Sequence, residues 1–454
     1  MSHGASLDIE AFIDQSRFSP FQWLLLLLCF LVIFMDGYDM AAIAYVAPSL
    51  LDEWGVQKAE LGPAMSAALF GLAFGSLLSG PLADRVGRKP AVIYSVLLFG
   101  VFSLATAWST SIGSLTLLRF ITGLGLGAAM PNSITLLSEY CPSKRRTMIV
   151  SAMLCGFPLG AAVGGLLAGY LIPSFGWRSV LVVGGVVPIL LCVVLPWLLP
   201  ESVRYMVLKG YPSARIRAVL QRIKKEGAER AEHFVIAEKI ADGHSAIRAI
   251  LTSPHRTVTG LLWLSCFMSM LVFYMIVSWM PLLLKEAGLS VLQFSHISAL
   301  FPLGGGVGSI VIGWVMDRRE PNKVLALTYL AAGVLAYGVG LAVGNVTHTL
   351  LLGSLVFLMG FASGGGQSAL ASLSASYYPT SCRATGVGSM YGVGRFGAIF
   401  GVLAGAELLR YQYPAAAIFS LLLIPAWLVC LALMLKYFSG RRRELLLARL
   451  PDKQ

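Results

Sequence analysis

Apolar residues recur along this chain in runs of about twenty, parted by short polar stretches that hold most of the charge. A run of that length crosses the roughly 30 Å hydrocarbon core of a bilayer as a helix. The pattern predicts twelve spans, at 23–46, 60–80, 90–108, 115–137, 148–171, 179–199, 257–280, 291–315, 323–343, 348–370, 384–409 and 413–437. Continuous runs mean helices and not the alternating strands of a barrel, because each segment must satisfy its own backbone polar groups in lipid. The first run is too long for the apolar part of a signal peptide, and no small-residue cleavage site follows it. The expected class is an all-α membrane protein.

The one long hydrophilic stretch, 201–256, separates six spans from six. Its middle, ARIRAVLQRIKKEGAERAEHFVIAEKI, has helical spacing without a span-length apolar run, so it reads as a linker with short amphipathic helices. The expected organisation is an N-terminal segment (1–22), a six-helix bundle (23–200), the linker (201–256), a second bundle (257–437) and a basic tail (438–454). An internal repeat supports this division. GPLADRVGRKP begins at Gly80 after span 2, and GWVMDRREPNK begins at Gly313 after span 8. Gly123 to Pro142 and Gly360 to Pro379 repeat likewise, each leading through a tyrosine toward a basic loop. Repeats at matching positions of two halves are the mark of a transporter built from two bundles around a central site.

Composition sharpens the class. The chain is 57% hydrophobic and 12% charged, against about 25% charged in soluble domains. The net charge of +12 would suit nucleic acid, but its placement is topological. Of the 34 Lys and Arg, Lys58, Arg178, Lys285 and Arg410 fall outside, and Arg119 and Arg395 fall deep within spans. The rest lie on the side of both termini, which is therefore expected to be cytoplasmic. The tail cluster SGRRRELLLARL reads as an anchor for anionic lipid. The seven cysteines are scattered through apolar runs without metal or disulfide spacing. GLGLGA, GGGVG and SGGGQ lie inside spans, where glycines serve close helix packing or a hinge, not phosphate binding. With no phosphate loop, HExxH or nucleophile elbow, neither an ATP-driven pump nor an enzyme is expected.

Charge inside a span carries the candidate chemistry. Asp36 and Asp39 in IFMDGYDMAAIAY share one helical face. Each costs about 2.5–3.5 kcal/mol at the membrane centre, so that face must look into the bundle or a wet cavity. Neighbouring carboxylates resist ionising together, which suits one of them to carrying a proton. The alternative is a permanent ion pair that only orients the span. Arg119 lies at a depth in span 4 similar to that of Asp39 in span 1, so the two can pair. Arg395 lies in YGVGRFGAIFG near the middle of span 11, where small neighbours leave room beside the backbone. A guanidinium there offers a planar, bidentate match to a carboxylate ligand; a structural partner for an acid is the other possibility. Tyr38, Phe157, Tyr274, Trp279, Phe301, Gln367 and Tyr391 are candidates to line a site for a flat ring, and Asn132 to bond a ring hydroxyl. Trp279 also fits an interfacial belt, and His296, at the start of span 8, reads as a surface or capping residue.

GPLADRVGRK resembles the loop signature of the major facilitator superfamily. RFITGLGLGAAMPN…SEYCPSKRR and PESVRYM resemble its sugar-porter-like branch. DGYD in span 1 and GVGRFGAIFG in span 11 narrow the likeness to the aromatic acid:proton symporter family. The opening SLDIEAFIDQSRFSPFQW is most similar to its 4-hydroxybenzoate and protocatechuate transporters. The resemblance implies Asp39 as the proton-carrying acid and Arg119 as its switchable partner, with Asp36 beside them. By their own chemistry, Arg395, Tyr38, Asn132, Gln367 and Tyr391 are the expected substrate contacts. A cytoplasmic gate would be formed by Asp84, Arg85, Arg88, Lys89, Glu139 (paired to Arg145 or Arg146), Asp317, Arg318 and Arg383. The second loop copy, DRREPNK, lacks the Gly-Arg-Lys ending. The implied activity is import of an aromatic carboxylate with protons across a bacterial inner membrane, by a monomer needing no cofactor beyond the proton. A symporter for another acid, such as a muconate or phenylpropanoate, competes with it, and a membrane sensor of such acids less so.

Overall fold

The computed structural model describes residues 5–224, 231–235, 248–252, 255–344, 348–379 and 382–447. Among them, twelve helices are long and apolar enough to cross a membrane, one for each expected span. They are α1 (Pro20–Trp54), α2 (Lys58–Val86), α3 (Arg88–Thr106), α4 (Ile112–Glu139), α5 (Arg146–Phe175) and α6 (Arg178–Leu198). The second set is α7 (Arg256–Glu286), α8 (Val291–Met316), α9 (Pro321–Val343), α10 (Thr349–Tyr377), α11 (Thr385–Arg410) and α12 (Ala415–Ser439). The largest departure from expectation is α1, which continues through Pro48 to Trp54. Its last turns keep Val46, Ala47 and Leu50 buried, so packing extends the helix past the length a bilayer requires. Local chemistry sets several ends. Ser111 with Ser114, and Ser290 with Gln293, form capping boxes at the starts of α4 and α8. Gly55 and Gly288, with φ of 63° and 94°, turn the chain after α1 and α7 in a conformation that β-carbons resist.

The helices pair through glycine. A Cβ placed on Gly71 or Gly75 of α2 would collide with the carbonyl oxygen of Phe120 or Leu124 in α4. In return, Gly123 and Gly127 of α4 abut the carbonyls of Ala68 and Leu72. The second half repeats this arrangement, with Gly304 and Gly308 of α8 against Phe357 and Phe361 and Gly360 of α10 against Phe301. A second kind of pair joins α1 to α5 (Gly37 on Phe157, Gly160 on Phe34) and α7 to α11 (Gly397 on Phe267, Gly401 on Leu271). The glycine-rich motifs thus serve backbone-to-backbone approach, the way membrane helices associate where lipid supplies no hydrophobic drive.

Contacts divide the chain into two compact units whose boundary cuts across the sequence halves. One unit holds Met1–Ala42, Ala67–Ala161 and Arg178–Ile240; the other holds Ile43–Ser66, Ala162–Trp177 and Ala241–Gln454. The division therefore passes inside α1, α2 and α5. Within the second unit, the end of α1 and the start of α2 meet helices of the second half. Lys285 donates to the Pro48 carbonyl at 3.0 Å and to the Asp52 carboxylate, and Lys58 pairs with Glu286.

The polar linker holds the expected short helices, Val203–Leu208 and Ser213–Gln221, with Ile216 and Leu220 buried. Helical spacing fails over Ala231–Val235, which is a strand paired in parallel with Ala5–Asp8 of the N-terminal segment. Long-range pairing there overrides a local pattern read as helix. Part of the linker and the end of the basic tail lie outside the described residues.

The close pairs yield a controlled comparison. Gly360→Val, which drives a side chain into the Phe301 carbonyl, is expected to cost about 3 kcal/mol through overpacking. Gly388→Val, on α11 with nothing within 4 Å of the added Cβ, is expected to melt like the parent in detergent. Equal melting temperatures for the two variants would remove the close-packing explanation.

Candidate functional site

Asp36, Tyr38 and Asp39 are all buried on α1, with Asp39 at 0% exposure. Arg119 of α4, also at 0%, sets one guanidinium nitrogen 2.8 Å from Asp39 Oδ2. A second guanidinium nitrogen donates to the backbone carbonyl of Asp39 at 3.2 Å. Ser103 of α3 donates its hydroxyl to Asp39 Oδ1. Both carboxylate oxygens are therefore engaged, by two different helices. The Tyr38 hydroxyl donates to the Val180 carbonyl of α6 at 3.0 Å, so Tyr38, expected as a substrate contact, is committed to packing beside the acid. A fully buried ion pair survives because each charge answers the other; removing one partner costs about 3–5 kcal/mol. Protonating Asp39 discharges the pair and leaves Arg119 a buried cation. Asp36 lies one turn earlier on the same face, as its spacing predicts.

A second cluster lies wholly within the C-terminal six helices. Arg395 of α11 is half-buried, one turn from Tyr391. Tyr391 is within electrostatic reach of Arg395, of Tyr274 and Cys266 on α7, and of Tyr329 on α9. Tyr329 reaches past Gly366 of α10, whose Cβ would lie 3.1 Å from the ring, to meet the Ser269 hydroxyl of α7 at 2.5 Å. Gly394 lets α11 press on Cys266 and Met270. Phenols and one guanidinium on neighbouring helices suit a hydroxylated aromatic anion. Gln367 is half-buried on α10 beside Gly366. Asn132 donates one amide N–H to the Ala128 carbonyl of its own helix at 2.8 Å, which leaves its amide oxygen as the group that could meet a ring hydroxyl. Trp279 is no interfacial anchor: its indole donates to the Val402 carbonyl at 2.9 Å and the ring is 1% exposed, packed on Gly405. Phe301 is buried against Phe273, and Phe157 is half-buried where α5 meets α1.

The helix ends on the side of the termini hold the residues expected as a gate. Asp84 pairs with Arg88 at 2.7 Å, one turn along. Glu201, after α6, accepts the amides of Arg88 and Lys89 at 2.8 and 3.1 Å. It thereby caps α3 from a distant segment, with a negative charge at the positive end of the helix dipole. Gly87, at φ 103°, makes room: a Cβ there would strike the Glu201 carboxylate. Lys89 donates to the Pro196 carbonyl at 2.5 Å, and the Tyr205 hydroxyl to the Arg85 carbonyl at 2.8 Å. The expected pairing of Glu139 with Arg145 or Arg146 is not found. The Glu139 carboxylate accepts the Ser202 hydroxyl instead, and both arginines point to solvent. In the second half, Asp317 and Arg318 are exposed, with Arg318 stacked 3.8 Å over Trp314. Arg383 donates to the Tyr378 carbonyl at 3.3 Å. The altered loop copy has its own logic. Glu320 accepts the Lys323 amide at 2.9 Å, Pro321 opens the helix, and Asn322 joins Glu320 to Lys436 of α12. The start of α9 is thus capped locally, without the Gly-Arg-Lys ending.

Among the described residues, no group of His, Cys, Asp or Glu is placed to hold a metal ion. The model of the Major Facilitator Superfamily matches residues 29–402, and again 262–448. The chain is a member of the major facilitator superfamily. It is 48% identical to the 4-hydroxybenzoate transporter PcaK of Pseudomonas aeruginosa, over 95% of this chain and 96% of that protein. It is 42% identical to the gallate transporter of Pseudomonas putida, over 95% of each. The fold matches the inward-open structure of the xylose transporter XylE from E. coli, with TM-score 0.70 and 17% identity, over 90% of this chain and 95% of that one. It is a multi-pass membrane transporter and not an enzyme.

In this facilitator, sequence reasoning missed Ser103, Glu201, Ser202, Glu320 and Lys436. Glu201 and Ser202 lay in plain view within PESVRYM; nothing in the sequence sets Ser103 apart from other serines in spans. His296, read as a surface or capping residue, is half-buried with its ring 5.3 Å from that of Tyr170. At the N-terminal segment, Asp14 accepts the amide and hydroxyl of Ser143, which hold its carboxyl below the usual range. Removing the remote cap of α3 has a measurable cost. Glu201→Ala is expected to lower stability by about 1–2 kcal/mol, and Glu201→Gln by less, as a shift of the detergent melting curve. An unchanged curve for the alanine variant would mean that the Arg88 and Lys89 amides find water as good a partner.

Proposed function

We propose that this transporter imports an aromatic carboxylate, 4-hydroxybenzoate or a close relative such as protocatechuate, together with protons, by alternating access. The observation that carries the proton is the Asp39–Arg119 pair, fully buried and bridged at 2.8 Å. A charge pair in that setting is stable while both partners are ionised. Protonation changes which contacts the surrounding helices favour, the condition under which a ligand shifts a conformational equilibrium. Asp36, on the same face, is the second acid of the coupling site. The substrate anion is assigned to Arg395, which offers its carboxylate a charge-assisted fork, with Tyr391 and Gln367 beside the ring. The names of the similar proteins, transporters for 4-hydroxybenzoate and for gallate, support a hydroxylated benzoate over a muconate.

The excess of Lys and Arg on the side of the termini supports an inner-membrane location with both termini cytoplasmic. The working parts are then the two six-helix halves, 23–200 and 257–437, joined by the linker 201–256 and acting as a monomer. One proton carried with one monoanion makes import electroneutral; a second proton would make it respond to membrane potential.

The test is uptake of labelled 4-hydroxybenzoate into proteoliposomes with an inward proton gradient. Accumulation is expected and should collapse on adding a protonophore; gradient-independent uptake would refute symport. Asp39→Asn is expected to abolish accumulation, and normal accumulation by that variant would take the coupling role from Asp39. Arg395→Ala is expected to weaken binding of the acid at least tenfold while leaving a neutral ring analogue nearly unaffected. Equal losses for the acid and the analogue would make Arg395 structural.

A further inference from the structure

Serines and threonines in membrane helices commonly donate to a carbonyl of their own preceding turn. Helix α3 shows the habit at two positions: Ser95 donates to the Ala91 carbonyl and Thr106 to the Phe102 carbonyl, each at 2.6 Å. Ser103, on the same helix and at 0% exposure, does otherwise. Its hydroxyl crosses to α1 and donates to Asp39 Oδ1, the carboxylate oxygen that Arg119 leaves open. The space is prepared from a third helix. Gly184 of α6 faces this point, where a Cβ would lie 3.3 Å from Ser103 Oγ and 3.2 Å from the Tyr38 ring. Tyr38 is anchored alongside through Val180.

The two partners of Asp39 differ in what they can do. A guanidinium only donates, so it suits the carboxylate and has no special hold on the neutral acid. A hydroxyl donates and accepts, so it can bond the carboxylate and then take the carboxyl proton's hydrogen bond once the acid is neutral. We propose that Ser103 is a positioning residue for the coupling acid, holding the Asp39 carboxyl in place in both charge states while the Arg119 contact comes and goes. This rests on Asp39 being the proton carrier, as proposed above. Among the described residues, the titratable and charged groups that face the site are Asp36 and Tyr38 on α1 and Arg119 on α4.

The sign of the effect follows. A hydrogen bond to an ionised group is worth more than one to its neutral form, by about 1 kcal/mol. Ser103 therefore favours the charged acid on balance, and its loss lets the proton bind at higher pH. The experiment is the pH profile of gradient-driven 4-hydroxybenzoate uptake by the full chain in proteoliposomes. Ser103→Ala is expected to move the midpoint to higher pH by about 0.5–1 unit and to lower the accumulation ratio several-fold. Ser103→Thr, which keeps the hydroxyl, is expected to restore the parental midpoint. Ser103→Cys, a weaker donor of similar shape, should shift in the same direction as alanine and serves if the alanine variant fails to fold.

An unchanged midpoint in Ser103→Ala would overturn the proposal. So would a threonine variant that behaves like alanine, since the serine would then act by shape. Asp39→Asn, measured alongside, separates this inference from its premise. Accumulation surviving in Asp39→Asn would remove both. Accumulation lost there but unchanged in profile with Ser103→Ala would remove only the role of the serine.

Discussion

A charge pair with no access to water is the constraint around which the first six helices are arranged. Asp39 and Arg119 sit in the membrane with both carboxylate oxygens and two of the three guanidinium nitrogens hydrogen-bonded, Arg119 Nε being left without a partner among the described residues, and the pieces come from four helices. Helix α1 supplies the acid, α4 the base, α3 the hydroxyl on the second carboxylate oxygen, and α6 the carbonyl that fixes the neighbouring tyrosine. Helices α1 and α5, like α2 and α4, touch backbone to backbone through glycine. Such contacts leave little slack between the helices that hold the pair.

The fold was largely legible because membrane spans obey a single strong rule. All twelve helices appear where apolar length predicted them. The glycine motifs were legible for the same reason, since a glycine inside a span has few uses apart from close approach. Where lipid stops being the solvent, legibility falls. The strand at Ala231–Val235 has a helical pattern and is decided by its pairing with Ala5–Asp8. The end of α1 beyond Pro48, where Leu50 is buried, is decided by neighbours that hydropathy does not see.

The candidate site divides along the same line. A lone charge in a span announces itself, and so Asp36, Asp39, Arg119 and Arg395 could be found without a structure. Neutral polar residues do not. Asn132 and Tyr38 each donate to a carbonyl, whereas Ser103, which looked like any serine, meets the central acid. Glu139 shows a third kind of error. Sequence proximity suggested Arg145 and Arg146, but the chain turns those two outward and brings Ser202 back from beyond α6. Partner choice at helix ends depends on how distant segments return, and one sequence does not encode that in any local spacing.

The two matching loops have diverged in how they are fastened. The loop before α3 is capped by Glu201, a residue more than a hundred positions away, whereas the loop before α9 is capped by Glu320 at its own first turn. A clasp whose two parts belong to separate stretches of chain can be opened by displacing either stretch; a knot tied within one turn stays closed as long as the turn exists. The duplicated loops are therefore unequal as mechanical parts. Among the described residues, the first loop is tied to the linker where it leaves α6, while the second is fastened within its own turn.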